Sequence, residues 1–432
     1  MGIQYGLPFP LLNPDERTIV PRAWAMVHGG GLDPHSFESP SLVLYVLAPF
    51  QAWADAPSYL VARLTMVVLA LAGVAAAWWL GHRAYGLVGA LVAAAATAVE
   101  TTHVAYSRMG VTDVPLTLGV TIALALMVSG RIELAGLAVG LAASAKYPGV
   151  LLLAPLVAVA WGRWRRLAVG TALAVLSFAA TSPYAVLHLD QAAGDAWRAE
   201  EAARGGWLGF EHDHAAPAAF VERLWDGLGP ALILAAAGLV VALARHHRAD
   251  LVLAVFVLAY FAGLLLFDAH FDRYVLPLVP ALGALAGRLR SLAPVTLLLL
   301  VVPLTWAIRD AHDLTRTDGR IVAHRWVERN LPRGTALAAD PSTPDFDGFR
   351  VLHLRLPRPG EPRDPNRDVD RLRDQGIGYV VVTGEVEDRV LAAADDYPRE
   401  TRFYSDLRRL ERVYSVHPRR KLAGPWVEIY RL

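Results

Sequence analysis

From residue 60 onward the chain alternates long apolar runs with short polar breaks. Ten runs can be drawn, at 60–80, 87–105, 114–128, 134–145, 147–161, 167–187, 228–244, 251–267, 274–286 and 292–308. Most approach the ~20 residues that a helix needs to cross about 30 Å of hydrocarbon. The pattern predicts an α-helical polytopic membrane protein with about ten transmembrane helices. Runs 134–145 and 147–161 are short for a crossing, so one of the pair is expected to be broken or re-entrant. After Arg309 the periodicity changes. Residues 322–330 read as an amphipathic helix stopped at Leu331 and Pro332, 335–339 as a short strand, and 369–375 as a helix. Residues 378–383 read as a buried strand and 426–430 as a terminal one, so 311–432 is expected to be a small soluble α/β domain following a transmembrane domain at 1–310. The stretch 357–366, with four prolines and a glycine, is expected to be an exposed loop.

Positive charge orients the breaks. One set carries His82 with Arg83, Arg131, Arg163 with Arg165 and Arg166, Arg245 and Arg248 around His246 and His247, and Arg288 with Arg290. These are expected to be cytoplasmic, on a rim that is simply basic. The alternate set carries Asp15 with Glu16, Arg108 with Asp113, Lys146, a long loop at 188–226, and 268–273. Together with an outer loop at 1–59 and the C-terminal domain, these fall on the extracytoplasmic side of a cytoplasmic (inner) membrane. Acidic and reactive groups thus gather on one rim, which suits a membrane enzyme facing outward.

Composition agrees with a membrane protein: 55% of the 432 residues are hydrophobic, 19% are charged, and the mean hydropathy is +0.36. A net charge of +1 offers no argument for a nucleic-acid partner. Cysteine is absent, which excludes disulfides, thiol catalysis and thiolate metal sites. The chain also lacks a phosphate-loop signature, a zinc-protease helix and a nucleophile elbow. Gly140 to Lys146 resembles a phosphate loop only loosely and lies in an apolar run.

Two adjacent carboxylates, Asp15 and Glu16, precede the first apolar run; burying them in hydrocarbon costs several kcal/mol each, so they belong at a wet rim. The order of motifs continues through Leu32-Asp-Pro-His-Ser-Phe-Glu-Ser-Pro-Ser-Leu-Val-Leu-Tyr45 and Tyr106-Ser-Arg-Met-Gly-Val-Thr-Asp-Val-Pro115. Gly140 to Lys146, Ser182-Pro-Tyr184, Arg273-Tyr-Val-Leu-Pro277 and the closing Gly-Pro-Trp-Val-Glu-Ile-Tyr430 follow. In this order and sidedness the chain resembles the polytopic C-superfamily glycosyltransferases, in the branch of the protein O-mannosyltransferases and lipid A aminoarabinose transferases.

The resemblance implies an enzyme that moves a sugar from a polyprenyl-phosphate carrier to a hydroxyl of a glycan, lipid or protein acceptor at the outer membrane face, with inversion. By the same resemblance Asp15 is the acidic residue at the acceptor hydroxyl and Glu16 its partner. Asp15 has a plainer reading as a helix cap. Arg108 and Asp113 match the family's second outer loop, where they orient the first loop, contact the carrier or form a structural salt bridge. Lys146 and Arg273 are candidates for the donor phosphate, or for cations that reach lipid headgroups. Tyr184 and Tyr274 read as members of an interfacial aromatic belt.

Glu211, His212 and His214 form the one cluster of metal-ligand character, against the alternative of a solvated loop. The residues point to no particular cofactor, and a divalent ion beside Asp15 stays open. A transporter or flippase of lipid-linked glycans is the alternative function, although such proteins place their polar residues near the midplane on broken helices. Family members carry a membrane span ahead of the acidic loop. Here 14 residues with three prolines precede Asp15, so a first helix is expected upstream of this start or to have been lost.

The orientation is tested by reporter fusions at Gly162 and Arg320. Opposite compartment signals are expected; identical signals overturn the topology and the outward site with it.

Overall fold

The computed structural model describes residues 1–245 and 247–432; His246, assigned above to a cytoplasmic loop, lies outside the described residues. The chain forms two compact units. One is built from 15–201 and 214–310, the other from 1–14, 202–213 and 311–432.

The first unit is helical. Its longest element, Tyr59–Val99, contains Gly86 at φ +78° and ψ −160°, values that only glycine adopts without strain. The chain reverses there. A Cβ on Gly81 would lie 2.3 Å from the carbonyl oxygen of Gly89, so the two arms meet backbone to backbone. These arms are the predicted runs 60–80 and 87–105. The run 114–128 appears as Asp113–Val128, and 134–145 as Ile132–Ala145. Residues 147–161 form a 3₁₀ turn, Tyr147–Leu152, leading into the helix Leu153–Ala160, which is the break expected at that point. The run 167–187 is interrupted at Ser182 and Pro183, between Trp164–Thr181 and Pro183–Leu187.

These interruptions matter for counting. Two continuous helices, Tyr59–Val99 and Arg290–Asp313, are long and apolar enough to cross a membrane, or three spans if the bent pair Ala216–Leu228 and Ala231–Leu243 is one. The count of about ten therefore stays an expectation. The outer faces nevertheless carry apolar side chains at helical spacing. Leu64, Val68 and Leu71 line one face of the first arm, with Val68 65% exposed, and Leu87 and Leu91 line the second. An exposed stripe of this kind is solvated well by lipid and poorly by water.

The rim expected to be simply basic is not. Arg288 makes two hydrogen bonds to the buried Asp250, at 2.7 and 2.8 Å, and Tyr85 donates a third to the same carboxylate. Arg166 is likewise paired through two bonds with Glu133. Acids three dozen positions away in sequence neutralise these arginines, which loop-by-loop charge counting does not register.

The second unit is an α/β layer. Its strands are β1 (Thr317–Asp318), β2 (Ala336–Ala339), β3 (Arg350–His353), β4 (Tyr379–Thr383), β5 (Glu411–Val416), β6 (Leu422–Ala423) and β7 (Val427–Arg431). Five form a sheet in the order β3-β2-β4-β7-β5. The strands β3, β2 and β4 run parallel, while β7 is antiparallel to both β4 and β5. The helices Gly319–Asn330 and Val369–Asp374 occupy the positions expected from sequence; Gly384–Ala392 and Pro398–Leu407 were not anticipated. Residues 1–14 pack here as well: Phe9 sits 4.7 Å from the His324 ring, and the carbonyl of Leu11 accepts from Arg320 at 2.8 Å.

Within the helical unit, Ile132–Ala145 packs on Trp164–Thr181 through small residues. A Cβ on Gly136 would stand 1.9 Å from the Gly170 carbonyl oxygen, and one on Gly140 2.0 Å from the Ser177 hydroxyl. The loosely phosphate-loop-like Gly140 is thus one of two glycines, four apart, that let two helices touch. Gly136→Val is expected to lose more than the ~1–3 kcal/mol typical of overpacking, because backbone rather than a mobile side chain blocks it. Thermal unfolding in detergent checks this, with the outward-facing Leu137→Val as control; equal melting temperatures overturn the close packing.

Candidate functional site

The site is organised around a carboxylate that does not belong to its chemistry. Glu16 is fully buried and binds Arg63 through two charged hydrogen bonds, Nε to Oε1 at 2.9 Å and Nη2 to Oε2 at 2.7 Å. It also accepts from the backbone N–H of Gly110 at 2.9 Å. One carboxylate therefore joins the helix Glu16–Val27, the long helix Tyr59–Val99 and the loop before Asp113. The expected partnership of Glu16 with Asp15 is replaced by this structural clamp. Geometry forces the division: the two side chains leave the helix start in different directions, one inward and one toward the surface.

Asp15 is 39% exposed in its side chain and stands at the N-cap position, yet makes no side-chain cap bond. Its carboxylate instead accepts from Arg273 Nη1 at 2.5 Å, which sets aside the plain capping role. Arg273 opens the 3₁₀ segment Asp272–Leu278. Burial disfavours its charge, but the carboxylates of Asp15 and Asp113 outweigh that cost and hold its pKa above the ordinary guanidinium value. It stays a cation at any working pH.

Asp113 is 2% exposed, and its Oδ1 accepts from Lys146 Nζ at 2.6 Å. Asp113 opens the helix Asp113–Val128, and Lys146 follows the end of Ile132–Ala145. Each charge thus sits at the helix terminus whose dipole favours it. The second carboxylate oxygen of Asp113 is buried without a hydrogen bond. Lys146 also lies over the ring of Tyr274, 5.2 Å from its centroid. Tyr274 is therefore part of the site rather than of a lipid-facing belt. Tyr106 extends the network by donating to Asp272 Oδ1 at 2.9 Å, and the N–H of Arg273 donates to the same oxygen at 2.8 Å.

Four predicted residues, Asp15, Asp113, Lys146 and Arg273, are thus drawn into one alternating array of two acids and two cations. Arg108 is buried; burial lowers its pKa, and the carboxylate of Asp310 opposes that shift. Its charge is thus set against Asp310. Glu211, His212 and His214 do not converge. Glu211 accepts from the Tyr397 hydroxyl at 2.7 Å and from the Gly209 N–H, while His212 Nε2 contacts the carbonyl of Ala392 at 3.1 Å. His214 belongs to the other unit. Among the described residues no group of three acids or histidines is placed to hold a metal ion. Tyr184 stacks on His188. Sequence reading missed Arg63, Tyr106 and Asp272. Arg63 left a signal, since an arginine inside an apolar run implies a buried partner.

No family model matches this chain, and no curated protein matches it. Solved structures do. ArnT from Cupriavidus metallidurans in the apo state is 16% identical, with 97% of this chain and 93% of that chain covered at a TM-score of 0.59. ArnT bound to undecaprenyl phosphate gives 17%, 96%, 93% and 0.58. The archaeal oligosaccharyltransferase AglB from Archaeoglobus fulgidus, in complex with an inhibitory peptide and a dolichol-phosphate, is 12% identical over 95% of this chain and 70% of that chain, at 0.55. ArnT is the lipid A aminoarabinose transferase, and both proteins have the C-superfamily glycosyltransferase fold. This chain shares that fold.

The clamp makes a testable statement. Arg63→Met strands a buried carboxylate and is expected to cost ~3–5 kcal/mol, enough to abolish the folded helical unit. Arg63→Met combined with Glu16→Leu removes both charges and leaves the Gly110 N–H without its carboxylate acceptor, at about 1–3 kcal/mol. The double variant should therefore be more stable than the single one in detergent melts. The reverse order overturns the clamp.

Proposed function

We propose that this chain is a membrane glycosyltransferase that takes a sugar from a polyprenyl-phosphate carrier and places it on a hydroxyl acceptor. The observation that carries the reading is the convergence of Asp15, Asp113, Lys146 and Arg273, from four separate parts of the sequence, into one charged array at helix ends. The fold shared with ArnT and AglB, and the undecaprenyl phosphate and dolichol-phosphate bound in those structures, support a lipid-phosphate donor. A transporter is less well supported, because these groups sit at helix termini and not at mid-helix breaks.

The array suits the chemistry. In transfer, the acceptor oxygen forms a bond to the anomeric carbon of the sugar, on the face opposite the leaving group, and configuration inverts. The bond from that carbon to the phosphate oxygen breaks, and its electron pair leaves with the phosphate. The acceptor proton passes to Asp15, the one carboxylate of the array that is substantially exposed. The departing lipid phosphate gains a unit of negative charge as the bond breaks. Arg273 and Lys146 are fixed cations that stabilise it, exchanging a carboxylate partner for phosphate oxygens. Asp113 and Tyr274 position Lys146. The outer face of the inner membrane is the proposed place of reaction, with a glycan, lipid or protein as the acceptor.

Asp15→Asn keeps the shape and the contact to Arg273 but removes the base, so turnover is expected to fall by roughly 100-fold or more while donor binding survives. Lys146→Gln is expected to weaken donor binding by about tenfold or more, the loss of one charged hydrogen bond. Both quantities are measured on detergent-purified protein with a polyprenyl-phosphate sugar. Unaltered turnover in Asp15→Asn refutes the base; unaltered donor affinity in Lys146→Gln refutes the phosphate contact.

A further inference from the structure

The proline-rich loop that follows β3 plays no part in the array above, yet it walls a cavity of about 360 Å³ within the α/β unit. Its chemistry is unusual for a surface loop. Glu400 lines the cavity, is only 3% exposed, and has its Oε2 buried without a hydrogen bond. A carboxylate oxygen in that state is costly unless something donates to it. Its place in the first turn of the helix Pro398–Leu407 favours the negative charge but supplies no donor to that oxygen.

Arginine donors line the same cavity. Arg355 and Arg363 line the wall, and neither guanidinium has an ion-pair partner among the described residues. A third, Arg367, is held rigid: its Nη2 donates to the buried Asp340 at 3.1 Å and its Nη1 to the Tyr404 hydroxyl at 2.7 Å. Burial raises the pKa of Asp340 above the ordinary carboxylate value, and the Arg367 guanidinium opposes that. The lining holds four arginines, at 355, 358, 363 and 367, and four acids, at 361, 364, 396 and 400, so its formal charges cancel.

Apolar surface completes the wall, from Leu356, Pro357, Pro359 and the ring of Tyr397. The frame is stiff. Tyr397 donates to Glu211 at 2.7 Å, and the Arg358 guanidinium lies over the Trp207 ring, 3.9 Å from its centroid.

We infer that this cavity is a binding site for a neutral saccharide. Each sugar hydroxyl both donates and accepts, which matches unpaired carboxylate and guanidinium groups lining one cavity. The C–H faces of a sugar ring match proline and tyrosine. A phosphate or other anion suits it poorly, because the acids cancel the arginine field and Glu400 would be left facing like charge. The volume falls within the range of small-molecule sites and accommodates one or two sugar rings. The assignment stands on this cavity alone and goes beyond the transfer reaction, for which it offers a holding site for a glycan.

The test uses the full chain purified in detergent, titrated by calorimetry and by tryptophan fluorescence with mannobiose, cellobiose and chitobiose, and with inorganic phosphate in a parallel arm. At least one disaccharide is expected to bind with a Kd of about 1 mM or tighter. Glu400→Gln, which removes the acceptor charge at constant shape, and the exposed Arg363→Ala should each weaken it by roughly tenfold or more, the effect of one charged hydrogen bond. Arg363→Ala keeps the test valid if Glu400→Gln fails to fold. Absence of binding by all three disaccharides, binding indifferent to Arg363→Ala, or binding of phosphate alone overturns the inference. Sugar transfer measured on the same variants reads the charged array separately, so failure of one proposal is distinguishable from failure of the other.

Discussion

One fully buried ion pair fixes how three segments of the helical unit meet. Glu16 and Arg63 lie at the start of two different helices, both with fully buried side chains, and the same carboxylate accepts the Gly110 N–H. Desolvating two charges is expensive, and their mutual attraction offsets it only with good geometry and satisfied remaining valences. Here the guanidinium and carboxylate meet through two parallel bonds, which specify direction as well as contact. Such a pair is weak evidence for stability and better evidence for specificity. It admits one arrangement of three chain segments, and that arrangement brings Asp15, the neighbour of Glu16, into reach of Arg273.

Fixed charge of this kind is what an electrostatic site requires. Asp15, Arg273, Asp113 and Lys146 alternate in sign, and Asp15, Asp113 and Lys146 sit at helix ends whose dipoles favour their charge. A cation placed against a carboxylate is ordered before any anion arrives, so little reorganisation is needed when the partner changes. A matching logic governs the pair of Arg288 with Asp250, where Tyr85 adds a third donor. In both places an apolar helical framework tolerates charge because opposite charge is delivered from a distant segment.

The α/β unit shows how separate stretches of chain share one core. Residues 202–213 contribute Leu208 to the same hydrophobic cluster as Val380, Val382 and Tyr404. Arg320, ion-paired with Asp318, also donates to the Leu11 carbonyl at 2.8 Å. The metal-like appearance of Glu211 and His212 dissolves in this setting, since both spend their polar atoms on Tyr397, Gly209 and Ala392. Three short strands end where Asp340, Arg367 and Tyr404 are buried together, and the proline-rich loop rests on that polar floor.

Periodicity and composition were enough to place the helices of the apolar region, the change of character after Arg309, and the strands β2, β4 and β7, because burial on one face leaves a local imprint. The order of motifs singled out Asp15, Asp113, Lys146 and Arg273, which the structure brings together, and suggested the fold. Other features had no local imprint. The different fates of Asp15 and Glu16 depend on which direction each side chain leaves a helix start. The partners of Arg63, Arg166 and Arg288 lie 47, 33 and 38 positions away. The edge strands β3 and β5, partly exposed, carry mixed patterns that resemble loop. Local sequence determines which segments avoid water. Only tertiary packing decides which charges meet, because the energy of an ion pair depends on distance and burial in space, and neither follows from separation along the chain.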